Sequence, residues 1–382
     1  MIINSVIAGS GGDDGSFKGV IQRTDRTPTL PDDLASIGNY AFAQYSNLAL
    51  TSLPSGVTSI GNYAFSACTN LALTSLPSGI TNIGTNAFQN CTRLAITSLP
   101  SGITSIKDYT FNYCTNLALT SLPSGVTSIG DSAFSGCTNL ALTSLPSGVT
   151  SIGQLAFNAC TNLALTSLPA SVTSIGNYAF AKCEGITLTS VPSGLNKISD
   201  YAFQDCTGIT SMSLPSSVTT IGRNMFAGCK GLTSFDCSSA FNASQLNYTF
   251  SGCTSLASVA IPNCSGSTTL YSGVFGNATA ANACQNLAVA DIGGGVISLG
   301  PNAFANCYKL QTLVLRKSSS ICTLNNVSAF LNTPMRGYNS LTGTVYVPSA
   351  LISSYQTASN WSTLYNAGTL TFAAIEGSPY EL

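Results

Sequence analysis

Side chains able to do chemistry are sparse in this chain, and most of them recur. Its 382 residues include no histidine, which removes the commonest general base and the commonest metal ligand. A Ser or Cys nucleophile would then need a lysine base or another unusual partner. Adjacent carboxylates occur at Asp13-Asp14 and Asp32-Asp33. Glycoside hydrolysis uses two carboxyl groups about 5–10 Å apart, but both pairs stand near the start of the chain and read as solvated turn residues. Gly293-Gly294-Gly295 runs into Val296-Ile297 without the Lys-Ser/Thr of a phosphate-binding loop. No catalytic constellation forms, so the chain is not expected to be an enzyme or to carry a cofactor.

The fourteen cysteines invite a disulfide reading. Eight of them (Cys68, Cys91, Cys114, Cys137, Cys160, Cys183, Cys206 and Cys229) share one position of a repeat. In-register units stack at about 4.8 Å, while a disulfide wants Cβ atoms nearer about 3.8 Å. Buried free thiols, acting as small apolar side chains, fit this column better. A uniform column also lacks the paired spacing that zinc requires, so no metal is expected.

Hydroxyls form the other columns. Thr51, Thr74, Thr97, Thr120, Thr143 and Thr166 share a position, each followed by Ser, and Thr58, Thr81, Thr104, Thr127, Thr150 and Thr173 form a second rank. Threonine is a good strand former on a solvated face. The functional alternative is a flat hydroxyl array for a repetitive partner such as a glycan. Tyr63, Tyr109 and Tyr178 stand two residues before a phenylalanine. They are expected on the turn side, either exposed for a ligand or protein interface or filling between adjacent turns.

The element that positions all of these is a repeat. Phe42, Phe65, Phe88, Phe111, Phe134, Phe157, Phe180, Phe203 and Phe226 are 23 residues apart without a slip. A fixed period in this range is the signature of a solenoid, in which units too small to bury their own apolar side stack into one continuous core. Within Leu71–Arg93, Leu71, Leu73 and Leu76 predict a short strand ending at Pro77. Ser78-Gly79 turns the chain, Ile80 and Ile83 make a second extended stretch, and Ala87, Phe88 and Cys91 suit a short helical turn. After Phe226 the anchors loosen to Phe250, Phe275, Phe304 and Phe330, and Asn277–Cys284 reads as a bulging insert.

These residues resemble the treponemal-type (BspA-like) leucine-rich repeat, whose pattern appears here as Leu53-Pro54, Val57-Thr58, Ile60-Gly61, Ala64-Phe65, Cys68 and Leu71. Tyr45 departs from it, standing where the first Cys would be. The resemblance implies a curved solenoid with a strand ladder along one face, and surface-exposed proteins that bind other molecules and are not enzymes.

The expected fold is therefore a solenoid of 23-residue leucine-rich repeats, with short strands plus a turn or short helix per coil and terminal caps. Residues 1–29 are expected as a flexible N-terminus and cap, 30–333 as the solenoid and 334–382 as a C-terminal cap. In that cap Thr344–Pro348 and Thr369–Ile375 read as strands, and Ser349–Tyr365 as one or two short helices.

Charged residues make up only 7% of the chain and the net charge is −1, against roughly 25% charged in an average protein. No basic stripe exists to meet nucleic-acid phosphates or an anionic membrane, and no apolar run approaches a membrane-spanning length. The apolar patch within Met1–Gly9 has no Lys or Arg before it, so no secretion signal is evident. The expected function is binding or adhesion, with a protein or glycan partner, at a bacterial surface or on a phage particle. A structural spacer is the alternative.

Overall fold

The computed structural model describes residues 5–7, 20–22, 25–237, 246, 248–261 and 266–382. Most of the N-terminal segment expected over 1–29 lies outside them. The chain divides into two units, Met1–Ile186 and Thr187–Leu382. In the first, β1 (Ser5–Ile7) and β2 (Val20–Gln22) pair antiparallel.

The first unit then advances by coils of 23 residues. Each coil contributes one two-residue strand. β3 (Ser36–Ile37), β4 (Ser59–Ile60) and β5 (Asn82–Ile83) form one parallel sheet. β6 (Ser105–Ile106), β7 (Ser128–Ile129), β8 (Ser151–Ile152) and β9 (Ser174–Ile175) form another. The isoleucine of each pair is buried while its neighbour reaches solvent, as strand alternation demands. The turn before each strand is closed by a bond such as Ile80 N–H to the Pro77 carbonyl, 3.2 Å.

The strand expected over Leu71–Leu76 does not form in this unit. Leu71 and Leu73 are buried, but Thr74 and Ser75 both face solvent before Leu76. An apolar step of three residues breaks the period of two that a ladder needs. A single bond survives there in several coils, such as Ala95 N–H to the Leu73 carbonyl at 3.0 Å.

The helical turn expected around Phe88 is also replaced. Asn86 and Asn90 both have φ of 58°, in the left-handed region. The N–H groups of Asn86, Phe88 and Asn90 donate to carbonyls of the next coil at 3.0, 2.9 and 2.7 Å, while those of Ala87, Gln89 and Cys91 close local turns. An α-helix would turn every N–H inward along its own axis. Here half of them join coils, and the repeated left-handed residues, each costing roughly 1–2 kcal/mol off glycine, are held by that ladder. Close approach at the coil's corner requires glycine: a Cβ on Gly84 would lie 2.5 Å from the Asn62 backbone nitrogen.

Phe42 through Phe180 fill the interior of this unit as a stack. Neighbouring rings are 5.2–5.6 Å apart and nearly parallel, and none is solvent-exposed. Beside them run the cysteines, buried and unbridged. Each thiol donates to the phenylalanine carbonyl of the preceding coil, as Cys91 does to Phe65 and Cys137 to Phe111, both at 3.0 Å. Tyr45 takes the first place in that column, buried, with its hydroxyl on the Asp25 carbonyl.

The second unit builds a true ladder. β10 (Lys197–Ile198) pairs with β12 (Thr220–Ile221). β11 (Ser211–Leu214), β13 (Ser234–Cys237), β14 (Ser258–Ile261), β16 (Val289–Ile292), β18 (Thr312–Leu315), β20 (Gly343–Val347) and β21 (Leu370–Ala374) form a seven-stranded parallel sheet in that order. β15 (Thr268–Leu270), β17 (Val296–Leu299) and β19 (Thr323–Leu324) form a three-stranded one. The sequence supplies the reason. Ile209, Met212 and Leu214 are buried in one coil and Leu310, Leu313 and Leu315 in another. Moving the middle apolar residue by one position restores the alternation that Leu71, Leu73 and Leu76 lack. The insert over Asn277–Cys284 is largely exposed and holds a single 3-10 turn, Ala280–Asn282.

At the C-terminal side, helices α1 (Ile352–Thr357) and α2 (Trp361–Asn366) precede β21. Trp361 is fully buried 5.8 Å from Phe330, and its indole N–H donates to the Cys322 carbonyl at 2.8 Å. The Tyr355 hydroxyl accepts from the Cys322 N–H at 2.7 Å. This short-strand, two-helix, strand order matches the expectation for the segment.

Candidate binding surface

Threonine occupies three columns of the first unit, and the structure gives them different work. Thr69, Thr92, Thr115, Thr138 and Thr161 donate to the carbonyl 23 residues earlier at 3.2–3.4 Å. Thr58, Thr127, Thr150 and Thr173 do likewise at 3.2–3.3 Å. These hydroxyls sew coil to coil. Thr51, Thr74, Thr97, Thr120, Thr143 and Thr166 are all exposed, and their hydroxyls make no bond within the chain among the described residues. The serines that follow them are exposed too. This is the consequence of the missing strand: the two outward residues in a row present a double rank of free hydroxyls, repeated at the coil spacing of about 4.8 Å.

The repeat stretches that bear the rank carry no charge of their own. The stretches 49–59, 72–82, 95–105, 118–128, 141–151 and 164–174 contain no Asp, Glu, Lys or Arg. The charges of these coils stand elsewhere, as Arg93, Lys107, Asp108 and Asp131. At one end, Ser52 borders a pocket of about 220 Å³ that also contains Asp32 and Leu50.

The tyrosines form a poorer surface. Tyr109 is 40% exposed, but Tyr63 and Tyr178 are half-buried. All three sit in the left-handed region, with φ of 55–56°. Tyr40 and Tyr63 lie parallel with centroids 4.8 Å apart, so each closes a ring face of the other. The column is also interrupted by Asn86, Ser132 and Leu155. The structure thus separates the two candidate sets: the threonine rank is continuous and open, while the tyrosines are dispersed and partly engaged in packing.

The described thiols are buried. Burial, and then neighbouring thiols, push Cys91 and Cys114 well above the ordinary range, and burial pushes Cys137 and Cys183 up likewise. Such groups stay protonated and act as donors. Among the described residues no cluster suits a metal ion, and no helix is long and apolar enough to cross a membrane.

A comparison with curated protein sequences finds no match. Solved structures do match. A leucine-rich repeat protein from Bacteroides ovatus aligns over 98% of this chain and 100% of its own, at 21% identity and TM-score 0.69. A leucine rich cell surface protein from Faecalibacterium prausnitzii aligns over 96% of each chain, at 24% identity and TM-score 0.52. At these identities the likeness establishes the fold. The BspA type leucine rich repeat region matches residues 35–164, 156–282 and 246–347. With its anchors and stacked coils accounted for over that span, the chain belongs to the BspA-type leucine-rich repeat family.

Proposed function

We propose that this protein is a non-catalytic binding scaffold of a bacterial surface, and that it engages a repetitive, uncharged partner such as a glycan through the Thr51–Thr166 rank. The observation that carries this reading is the division of labour among threonines. Among the described residues, most threonines of two columns commit their hydroxyls to neighbouring coils, Thr81 and Thr104 excepted, and the third column leaves all of its hydroxyls to solvent. A partner made of repeating units meets such a face through many weak contacts, whose joint strength grows with the number engaged. The lack of charge within the repeat stretches favours a partner held by hydroxyl and amide hydrogen bonds rather than by ion pairs. Location at a cell surface agrees with the description of the Faecalibacterium relative.

The test is binding of the purified chain to arrayed glycans and proteins, alongside a variant carrying Thr97→Lys, Thr120→Lys and Thr143→Lys. These side chains are exposed, so the fold should survive. Loss of binding in the variant supports the reading. Equal binding by both chains removes the rank from consideration, and no binding by either leaves the spacer as the better account.

A further inference from the structure

The outward face of the seven-stranded sheet in the second unit carries one residue per strand in register: Ser213, Asp236, Ala260, Asp291, Val314, Tyr346 and Ala373. Ser213 and Asp236 are exposed, as outward residues should be. Asp291 is only 9% exposed and Val314 is fully buried. What covers Asp291 is visible. The Arg316 guanidinium grips Asp291 through two bonds, Nε to Oδ1 at 2.6 Å and Nη2 to Oδ2 at 2.7 Å. The same Nη2 donates to the Tyr380 carbonyl at 2.8 Å. The Tyr380 ring stands edge-on to Tyr346, centroids 4.9 Å apart. Residues 376–380 therefore cross the sheet face instead of extending its ladder.

The crossing segment is held lightly. Beyond the Arg316 and Tyr346 contacts, its bonds are to itself, such as Gly377 N–H to Glu381 at 2.8 Å, or from the Ser349 N–H to Glu376 at 2.9 Å. Gly377 has φ of 75°, with nothing within 4 Å of where a Cβ would be, so the segment can pivot there. Asp291 fixes the guanidinium as a bidentate pair does, and its remaining donor capacity faces outward for a main-chain carbonyl. The contacts that hold Tyr380 on the face are that carbonyl and the aromatic ring.

We propose that Asp291, Arg316 and Tyr346 form a docking site for an extended protein segment bearing an aromatic side chain, and that residues 376–382 occupy it as a built-in stand-in that such a partner displaces. The site lies in the second unit and is independent of the threonine rank.

The probe is a labelled synthetic peptide of residues 374–382. A tethered segment competes at an effective concentration near the millimolar range, so the unaltered chain should bind this peptide roughly tenfold or more weakly than a full chain carrying Tyr380→Ala. A peptide with alanine in place of Tyr380 should not bind, and adding Arg316→Gln to the Tyr380→Ala chain should abolish binding. Binding no tighter to the Tyr380→Ala chain than to the unaltered one overturns the proposal. Hydrogen exchange on the unaltered chain gives a second reading that needs no variant. Amides of 376–382 should open locally, exchanging well before those of β18 and β20. Exchange of both at one common rate, through global unfolding alone, would mean that the segment is a fixed part of the fold and also overturns it.

Discussion

Replacing Phe134 by alanine removes a ring from the middle of the first unit's stack. That ring is fully buried, with Phe111 at 5.6 Å on one side and Phe157 at 5.4 Å on the other. Phe→Ala in a core costs about 3–5 kcal/mol. Both faces lose an aromatic neighbour, each contact being worth about 0.5–1.5 kcal/mol beyond its area, so the upper half of that range applies. The coils on either side are joined by backbone bonds at the same place, Phe111 N–H to Ala133 at 2.9 Å and Phe134 N–H to Ala156 at 2.8 Å, so they cannot simply collapse into the gap. Tyr109→Ala in the adjacent coil is the control. Its side chain is 40% exposed, and its loss should cost well under half as much. Urea denaturation followed by circular dichroism gives both values. Because repeat arrays can unfold in parts, the reactivity of Cys114, Cys137 and Cys160 to a thiol reagent should be read in the same samples, where Phe134→Ala should expose them at lower urea. Equal losses for the two variants, or a loss below about 1 kcal/mol for Phe134→Ala, would refute the stacked-core reasoning.

Three further outcomes follow from the same packing. Gly84→Ala sets a Cβ against the Asn62 backbone, which cannot move aside as a side chain can, and should cost about 1–3 kcal/mol in the same assay. Stability should fall as the solution becomes alkaline. The buried thiols hold their protons in the folded chain, whereas unfolded thiols ionise near pH 8.5, so each contributes a loss of up to about 1.4 kcal/mol per pH unit above that point; a flat urea midpoint between about pH 8 and 10 would contradict their burial. Native protein kept without reductant should show unbridged Cys91 and Cys114 by mass spectrometry, and a disulfide between them would overturn the account of the column.

Much of this was legible in the residues. Phe42 to Phe226 at a fixed step set the coil, and no local propensity could have overridden it. The cysteine spacing against strand spacing was enough to argue for free thiols. Two features were misread because the local pattern fits more than one backbone. Ala87, Phe88 and Cys91 suit a helical face, and the column two places after the phenylalanine mixes Asn90, Gly136, Asp205 and Gly228, which tolerate the left-handed region, with Gln44, Ala67, Tyr113, Ala159 and Lys182, which do not favour it, so the residues alone did not decide the backbone. Leu71, Leu73 and Leu76 looked like an alternating run, but the step of three between the last two already excluded a ladder. The difference among threonine columns was beyond reach. It depends on how near each hydroxyl lies to a carbonyl one coil away, and identical residue types at three positions carry no trace of that.

The free hydroxyl rank is the proposed binding face, and its length can be changed coil by coil. Deleting Leu94–Asn116 removes one coil of 23 residues and joins Arg93 to Leu117 in register. Affinity for the partner found by array should be measured across deletions of one, two and three such coils, with circular dichroism confirming that each chain stays folded. The account predicts a stepwise fall in affinity with each coil lost. Unchanged affinity across the series would contradict it.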